Sequence, residues 1–359
     1  MTRVVAVLPT RAWSVEARIL LEQLRGLARH GIGVAVATPS GGAVAQAAAA
    51  MTLPSLDFDP GDAGWWRAGA LLGELLREAR ADALLVADEA THLAAARAVR
   101  RVEHGVVFRR VPAGVALASS LRTRLAARLA PTWLVHATPA DAEGTAPVVG
   151  VRGHIVAPLG VDAAVLRAAP PVPVPLGARS LVLVVDRASR RATSSAIRTV
   201  AALRRRGHPW RITCVGEPYD DAEVRLHGTA VGLGDALQLV GAPIDRAALV
   251  AGADAVWVVA DHDDGGLAVL EAMALGRPVL VTRGTLGERY VDHPLTGLVV
   301  ERDDEMGTAA ILATLDDDDV REALGDAARE AHDAQHASTD ITAALATAVA
   351  RAGDARAVA

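Results

Sequence analysis

Short apolar runs rich in Val, Ile and Leu alternate along the chain with longer amphipathic stretches, so the hydrophobic period switches repeatedly between strand and helix. In the first half, runs at 4–8, 33–37, 83–87, 106–108 and 133–137 predict strands, and stretches at 15–29, 65–80, 92–101 and 117–130 predict helices. The alternation breaks at Ala168-Ala-Pro-Pro-Val-Pro-Val-Pro175, where prolines impose extended backbone without amide donors. It resumes with strands at 181–185, 212–215, 237–240, 255–259, 278–281 and 298–300 and a helix at about 191–206. Strands that are apolar throughout suit a parallel sheet covered on both faces, which makes the expected class α/β: two Rossmann-like, doubly wound domains. The expected boundaries are 1–167, a linker at 168–178 and 179–336, with a C-terminal helix near 337–352 packing back on the first domain.

Composition narrows the chemistry. A chain of 359 residues, 51% apolar, fills about two cores. A net charge of -5 argues against a nucleic-acid binder, whose phosphate contacts need a cationic surplus. The chain has neither Lys nor Asn, while Ala supplies about a fifth of it. Arg and His therefore carry every cationic role, and lysine-dependent phosphate loops, Schiff bases and N-glycosylation are excluded. The single Cys, Cys214, lies in an apolar run and reads as an inert strand thiol. The first apolar run is too short for a signal peptide, and the longest uncharged stretch, from Gly31 to Leu56, is too weakly apolar to span a bilayer; a cytoplasmic protein is expected.

The most informative stretch is Ala260-Asp-His-Asp-Asp-Gly-Gly-Leu-Ala-Val-Leu-Glu-Ala-Met-Ala-Leu-Gly-Arg-Pro-Val-Leu280. A strand ends, an acidic loop and a glycine pair follow, and a helix is expected to open near Leu267. The amides about Gly265, Gly266, Leu267 and Ala268 would then face a phosphate at the positive end of the helix. Glu271, one turn further in, would suit a bidentate grip on ribose hydroxyls.

These residues resemble the retaining GT-B glycosyltransferases of family 4, whose signature sets two acidic residues with seven residues between them around a Gly-Phe-Gly-Leu motif and a Leu-Glu-Ala-Met-Ala core. Here the pair is Asp263 and Glu271, with Asp264-Gly-Gly-Leu267 between them. The likeness extends over Leu159-Gly-Val-Asp162, Gly232-Leu-Gly-Asp235, Thr285-Leu-Gly-Glu288 and Leu295-Thr-Gly-Leu-Val299. It implies that Glu271 binds the nucleotide ribose, that Asp263 contacts the transferred sugar, and that Arg187 with Arg190 or Arg191 grips the diphosphate in place of the family's Arg and Lys. It further implies two domains facing across a cleft, a nucleotide diphosphate sugar as donor, no cofactor and no protein-bound metal. The activity expected is retaining transfer of a hexose to an acceptor the sequence does not identify. The rival reading is a noncatalytic GT-B scaffold or partner subunit, because the family's Gly-rich loop and His of the first domain are missing. Arg11, Arg109 and Arg110 stand in the corresponding loops, as contacts for an acceptor or as surface arginines.

Three weaker signals remain. The helix holding Leu117, Leu121, Leu125 and Leu129, interleaved with Arg122, Arg124 and Arg128, reads first as core packing with a basic solvated face. Its second reading is peripheral contact with an anionic membrane, at the inner face of which the protein would then lie. Trp65 and Trp66 serve either a sugar or the core. His332 and His336, four apart, read as a solvated helix face.

Overall fold

The computed structural model describes residues 2–62, 64–115, 117, 120–174, 177–186, 189–216, 221–241, 246–336 and 341–357. The chain divides into two units, Met1–Leu159 with Asp340–Ala359, and Gly160–Thr339.

The first unit is a seven-stranded parallel sheet built from β1 (Arg3–Val7), β2 (Gly33–Thr38), β3 (Ser55–Asp57), β4 (Ala83–Val86), β5 (Val106–Arg110), β6 (Thr132–His136) and β7 (Val151–Val156), in the order β3-β2-β1-β4-β5-β6-β7. Its helices are α1 (Val15–Arg29), α2 (Ala43–Ala50), α3 (Trp65–Ala79), α4 (Glu89–Val102), α5 (Leu121–Leu129) and α6 (Pro139–Glu143). Strand β4, Ala-Leu-Leu-Val, is buried at every position, as a central parallel strand requires. Helix α1 starts where the Ser14 hydroxyl accepts from the Ala17 amide at 3.1 Å, and it sets Leu20, Leu24 and Leu27 on one face of the sheet. Helices α3 and α4 cover the other face with Leu72, Leu76, Leu93 and Val99.

The second unit is a six-stranded parallel sheet of β8 (Arg179–Val185), β9 (Trp210–Gly216), β10 (Leu237–Val240), β11 (Ala255–Val258), β12 (Val279–Thr282) and β13 (Leu298–Val300), ordered β10-β9-β8-β11-β12-β13. It carries α7 (Ala163–Arg167), α8 (Arg190–Arg205), α9 (Asp221–Ala230), α10 (Ala247–Ala251), α11 (His262–Ala274), α12 (Glu305–Thr314) and α13 (Asp318–Gln335). Ile197, Val200 and Leu203 of α8 pack with Trp210 and Leu312 on one face, and Val269, Ala272 and Met273 of α11 pack with Val250 and Ala328 on the other. Gly216 closes β9 at φ 124°, where a Cβ would lie 2.1 Å from the Val185 carbonyl oxygen, so no other residue fits. The Cys214 thiol is buried, which pushes its pKa up to about 12 and leaves it inert at neutral pH.

The boundary between the units differs from the expected one. Residues 160–174 belong to the second unit, because Arg167 of α7 donates to the Ala274 carbonyl at 2.9 Å and to both carboxylate oxygens of Asp333 at 2.8 and 2.9 Å. The proline stretch is likewise tied down: the Val172 amide donates to Ala248 O at 2.9 Å, and a Cβ on Gly252 would meet Val172 O at 2.1 Å. The C-terminal helix, α14 (Ala343–Ala357), belongs to the first unit, where Leu345 and Val349 enter the core beside Leu20 and Leu24.

The leucine-arginine segment buries Leu117 and packs Leu129 against the core but leaves its two middle leucines outside. Helix α5 turns Thr123, Ala126 and Ala127 inward and leaves Leu121 and Leu125 exposed, because small side chains permit the close approach to the alanine-rich α4. His332 is also not solvated: it is fully buried, with Nδ1 3.1 Å from Asp333 Oδ1, and His336 stands edge-on to Tyr290. Trp65 packs against the core, whereas Trp66 is exposed beneath the Arg97 guanidinium, 3.3 Å from its ring centroid. Among the described residues no helix is long and apolar enough to cross a membrane.

Candidate functional site

In the second unit the strand order reverses between β8 and β11, and loops leaving the carboxyl ends of those strands define the crevice where doubly wound sheets hold ligands. Two carboxylates stitch these loops together. Asp186, just past β8, accepts from the Ser189 amide at 2.7 Å and from the Asp261 amide, just past β11, at 2.9 Å. Asp261 accepts in turn from the amides of His262 at 2.7 Å and Leu286 at 3.0 Å, bringing in the loop after β12. Arg187 lies outside the described residues.

The helix after this junction begins earlier than expected. Asp261 is its N-cap and His262 its first residue, so its positive end lies at His262 and not near Leu267. The Gly265 amide already donates to Asp261 O, and Gly265, Gly266, Leu267 and Ala268 are buried in the helix; the phosphate seat expected there is not formed. A Cβ on Gly265 would stand 2.2 Å from the Ala260 carbonyl oxygen, so this glycine lets the helix start press against the end of its own strand.

Asp263 and Glu271 both point into the protein, 5% and 0% exposed. Sequence reasoning missed the residue that holds this face together, Arg246, which caps α10. Its Nε pairs with Glu271 Oε2, and its Nη1 donates to Asp264 Oδ1 at 2.6 Å. Burial alone would lower the guanidinium pKa, but the Asp264 and Glu271 carboxylates more than offset this and raise it. The ribose grip assigned to Glu271 is therefore closed in this structure by an arginine. Arg190 and Arg191 open α8 at the surface, Arg190 paired with Glu223 and Arg191 with Asp303 at 2.8 Å.

The first unit has its own junction, where the order reverses between β1 and β4. A cavity of about 550 Å³ opens there at the carboxyl ends of β1, β4 and β5, lined by Leu8, Thr10, Glu89, Arg109 and Pro112 among others. Arg109 is buried, not on the surface: Nη1 donates to Thr123 Oγ1 at 2.8 Å and lies 3.4 Å from His92 Nδ1, while Nε has no hydrogen-bond partner among the described residues. Burial lowers its pKa, against the opposing pull of Glu89 and Asp88. Hydrogen bonds from Ser120 hold the Glu89 carboxylate below its usual range despite partial burial, with Thr123 and the Arg109 charge assisting. His92 is pushed down to about 3 by burial and then by Arg109, so it stays neutral. Arg110 is buried as well. Arg11 is a surface brace, donating to Ser40 O at 2.7 Å and pairing with Asp59 at 2.6 Å. Among the described residues no group of three or more His, Cys, Asp or Glu is placed to hold a metal ion.

Residues 179–317, the body of the second unit, match the family model described as glycosyl transferases group 1. A comparison with curated proteins finds no match. Solved structures match the whole chain. HepE from Anabaena, in complex with UDP-glucose, aligns at 15% identity and a TM-score of 0.77 over 98% of this chain and 100% of its own. Sucrose-phosphate synthase from Thermosynechococcus elongatus aligns at 16% and 0.73 over 99% and 100%. A glycosyltransferase from Rickettsia africae aligns at 12% and 0.73 over 98% of both chains. The fold is thus that of GT-B glycosyltransferases, two Rossmann-like α/β units each on a parallel sheet. The stretch that carries the acidic pair and the strand junction is the stretch that matches the glycosyltransferase family.

Proposed function

We propose that this protein transfers a hexose from a nucleotide diphosphate sugar to an acceptor hydroxyl with retention of configuration. The observation that carries the reading is the position of the β8–β11 junction, with Asp186, Asp261 and the start of α8, inside the stretch that matches group 1 glycosyltransferases. In the reaction the acceptor oxygen bonds to the sugar C1 as the C1–phosphate oxygen bond breaks. The acceptor proton passes to a donor phosphate oxygen on the same face, and the nucleoside diphosphate departs. Arg187, Arg190 and Arg191 offset the charge that develops on the diphosphate. The exposed ion pairs of Arg190 and Arg191 exchange for phosphate at little cost, since such pairs contribute about 0–1 kcal/mol. Asp263 takes the sugar hydroxyls. Glu271 takes the ribose once Arg246 turns out of its carboxylate towards Asp264, and donor binding must then offset the cost of opening a buried ion pair. No metal or cofactor takes part in this scheme.

UDP-glucose, the ligand of the HepE structure, is the first donor to test. Release of nucleotide in the presence of an acceptor extract supports transfer. Binding without turnover across a donor panel favours the second reading, a GT-B scaffold that keeps a nucleotide site; Asp263 in place of Glu and the lack of the family's Gly-rich loop and His in the first half of the chain support it.

A further inference from the structure

The ribose contact assigned to Glu271 has a competitor already in place. Arg246 reaches two acidic residues at once: Nε pairs with Glu271 Oε2, Nη1 donates to Asp264 Oδ1 at 2.6 Å, and Nη2 lies 3.4 Å from the Asp264 carbonyl oxygen. Arg246 is 6% exposed and Glu271 is fully buried, so water screens neither charge. Asp264, which anchors the far end of the guanidinium, stands where the motif of the resembling family has its first Gly, so the anchor is a feature of this chain. Two neighbouring ribose hydroxyls need both oxygens of one carboxylate, and here one oxygen is held by the arginine. A ribose that takes Glu271 replaces a bond between two charges with bonds from neutral hydroxyls, so what the hydroxyls gain is largely what the buried pair loses. A nucleotide with one hydroxyl fewer leaves the pair closed, with no such bond to win and none to break.

We propose that Arg246 makes the donor site indifferent to the ribose 2′-hydroxyl, so that 2′-deoxyribonucleoside diphosphate sugars serve this chain as donors alongside their ribonucleoside counterparts. The inference rests on the nucleotide site proposed above and on Glu271 as its ribose contact. Selectivity is a difference of two affinities, and the diphosphate met by Arg190 and Arg191 is the same in both donors, so only the sugar ring can separate them. At a site where such a carboxylate stood open, removing one hydroxyl bonded to it would cost about tenfold to a hundredfold in affinity. With Arg246 on the carboxylate the two forms are expected to differ by no more than about threefold.

Calorimetry on the full chain, with pairs of nucleoside diphosphates that differ only at C2′, tests the proposal: UDP against 2′-deoxy-UDP, and the matching adenine and guanine pairs. For the base that binds, the two members should have dissociation constants within about threefold of each other. Arg246→Met removes the competitor and leaves Glu271 to the ribose, so the ribose form should then be preferred by at least about tenfold. Arg246→Gln, which keeps a neutral donor for one carboxylate, should give a ratio between these two. The ratio is the readout because a general loosening of the fold weakens both members alike; thermal melting shows which variants are folded, and the wild-type ratio decides even if neither is. A wild-type preference for the ribose form of about tenfold or more overturns the inference and leaves the nucleotide site standing. A folded Arg246→Met variant whose ratio stays at the wild-type value overturns it too, since the arginine would then not be what silences the hydroxyl. Binding of no nucleoside diphosphate removes the nucleotide site itself, and the inference falls with it.

Discussion

Each unit buries an arginine beside carboxylates near the carboxyl edge of its sheet, and the two arginines are held in opposite ways. Arg246 is enclosed by two carboxylates, and their pull exceeds the cost of its burial, so its proton is held more tightly than in water. Arg109 has one partly buried carboxylate nearby, a neutral histidine, a threonine hydroxyl and an Nε without a partner, and its proton is held less tightly. The first arrangement is a fastener; the second borders a cavity and has donor capacity to spare. A buried charge that is fully matched stabilises its surroundings, whereas one left partly unmatched is available to a ligand.

The sharpest way to break this contrast is to remove one half of the fastener. Arg246→Ala leaves Glu271 as a buried charge without its counter-ion, and urea unfolding should report a loss of about 3–5 kcal/mol. Arg246→Met combined with Glu271→Met should recover most of it; equal losses in single and double variants would mean that the pair is not matched as described.

Acid should act next. His92 and His136 have folded pKa values of about 3 and about 4, both depressed mainly by burial, against 6.5 when exposed. The folded state therefore binds fewer protons, and the stability these residues contribute, full above pH 6.5, is lost as the pH falls toward 4. Each contributes a slope of about 1.4 kcal/mol per pH unit in that window, or about 2 kcal/mol between pH 7 and 5. His92→Gln should make the acid limb of the urea midpoint against pH shallower, with the remainder left to His136, His336 and the depressed carboxylates, and an unchanged limb would show that His92 titrates normally.

Arg109→Met should cost less, about 1–2 kcal/mol, because Glu89 keeps its bonds from Ser120 and Thr123. Its larger effect is expected on the acceptor: KM for acceptor should rise while nucleotide affinity, measured by calorimetry, stays the same. A parallel loss of nucleotide affinity would erase the distinction between the two sites. Smallest of all is Arg11→Ala, at or below about 1 kcal/mol, since the Arg11–Asp59 pair is well exposed.

The sequence reveals this fold where the apolar run is unbroken or nearly so, even at a sheet edge. Strands β10 and β13 and helix α1 fall on their predicted spans, because β13 is apolar throughout, β10 is interrupted only by the exposed Gln238, and α1 has a serine cap and regular leucine spacing. Strands β3 and β7 escaped notice: they are edge strands, and Ser55, Asp57, Arg152 and His154 face solvent, so the apolar signal is diluted. Helix α5 was legible as a helix but not in its orientation, since its inner face is set by the alanines of α4 and not by its own leucines. At the candidate site the acidic pair was legible from its spacing, and Arg246 was not, lying 25 residues from Glu271 in a segment without a motif. One hint was present: Glu271 sits between Leu270 and Ala272, one turn after Leu267, on a helix buried nearly all round. In a chain without Lys a carboxylate there calls for an arginine.

The return of α14 to the first unit has a consequence for folding. Leu345 and Val349 belong to the same core as Leu20, Leu24 and Leu27, and a Cβ on Gly26 would touch the Thr342 side chain at 2.4 Å. Closing that core joins segments that lie on either side of the whole second unit, whereas the second unit takes its strands and helices from one continuous stretch. The loop that the first core must close is therefore the second unit itself, and its entropic cost falls once that unit has folded and drawn its own ends together.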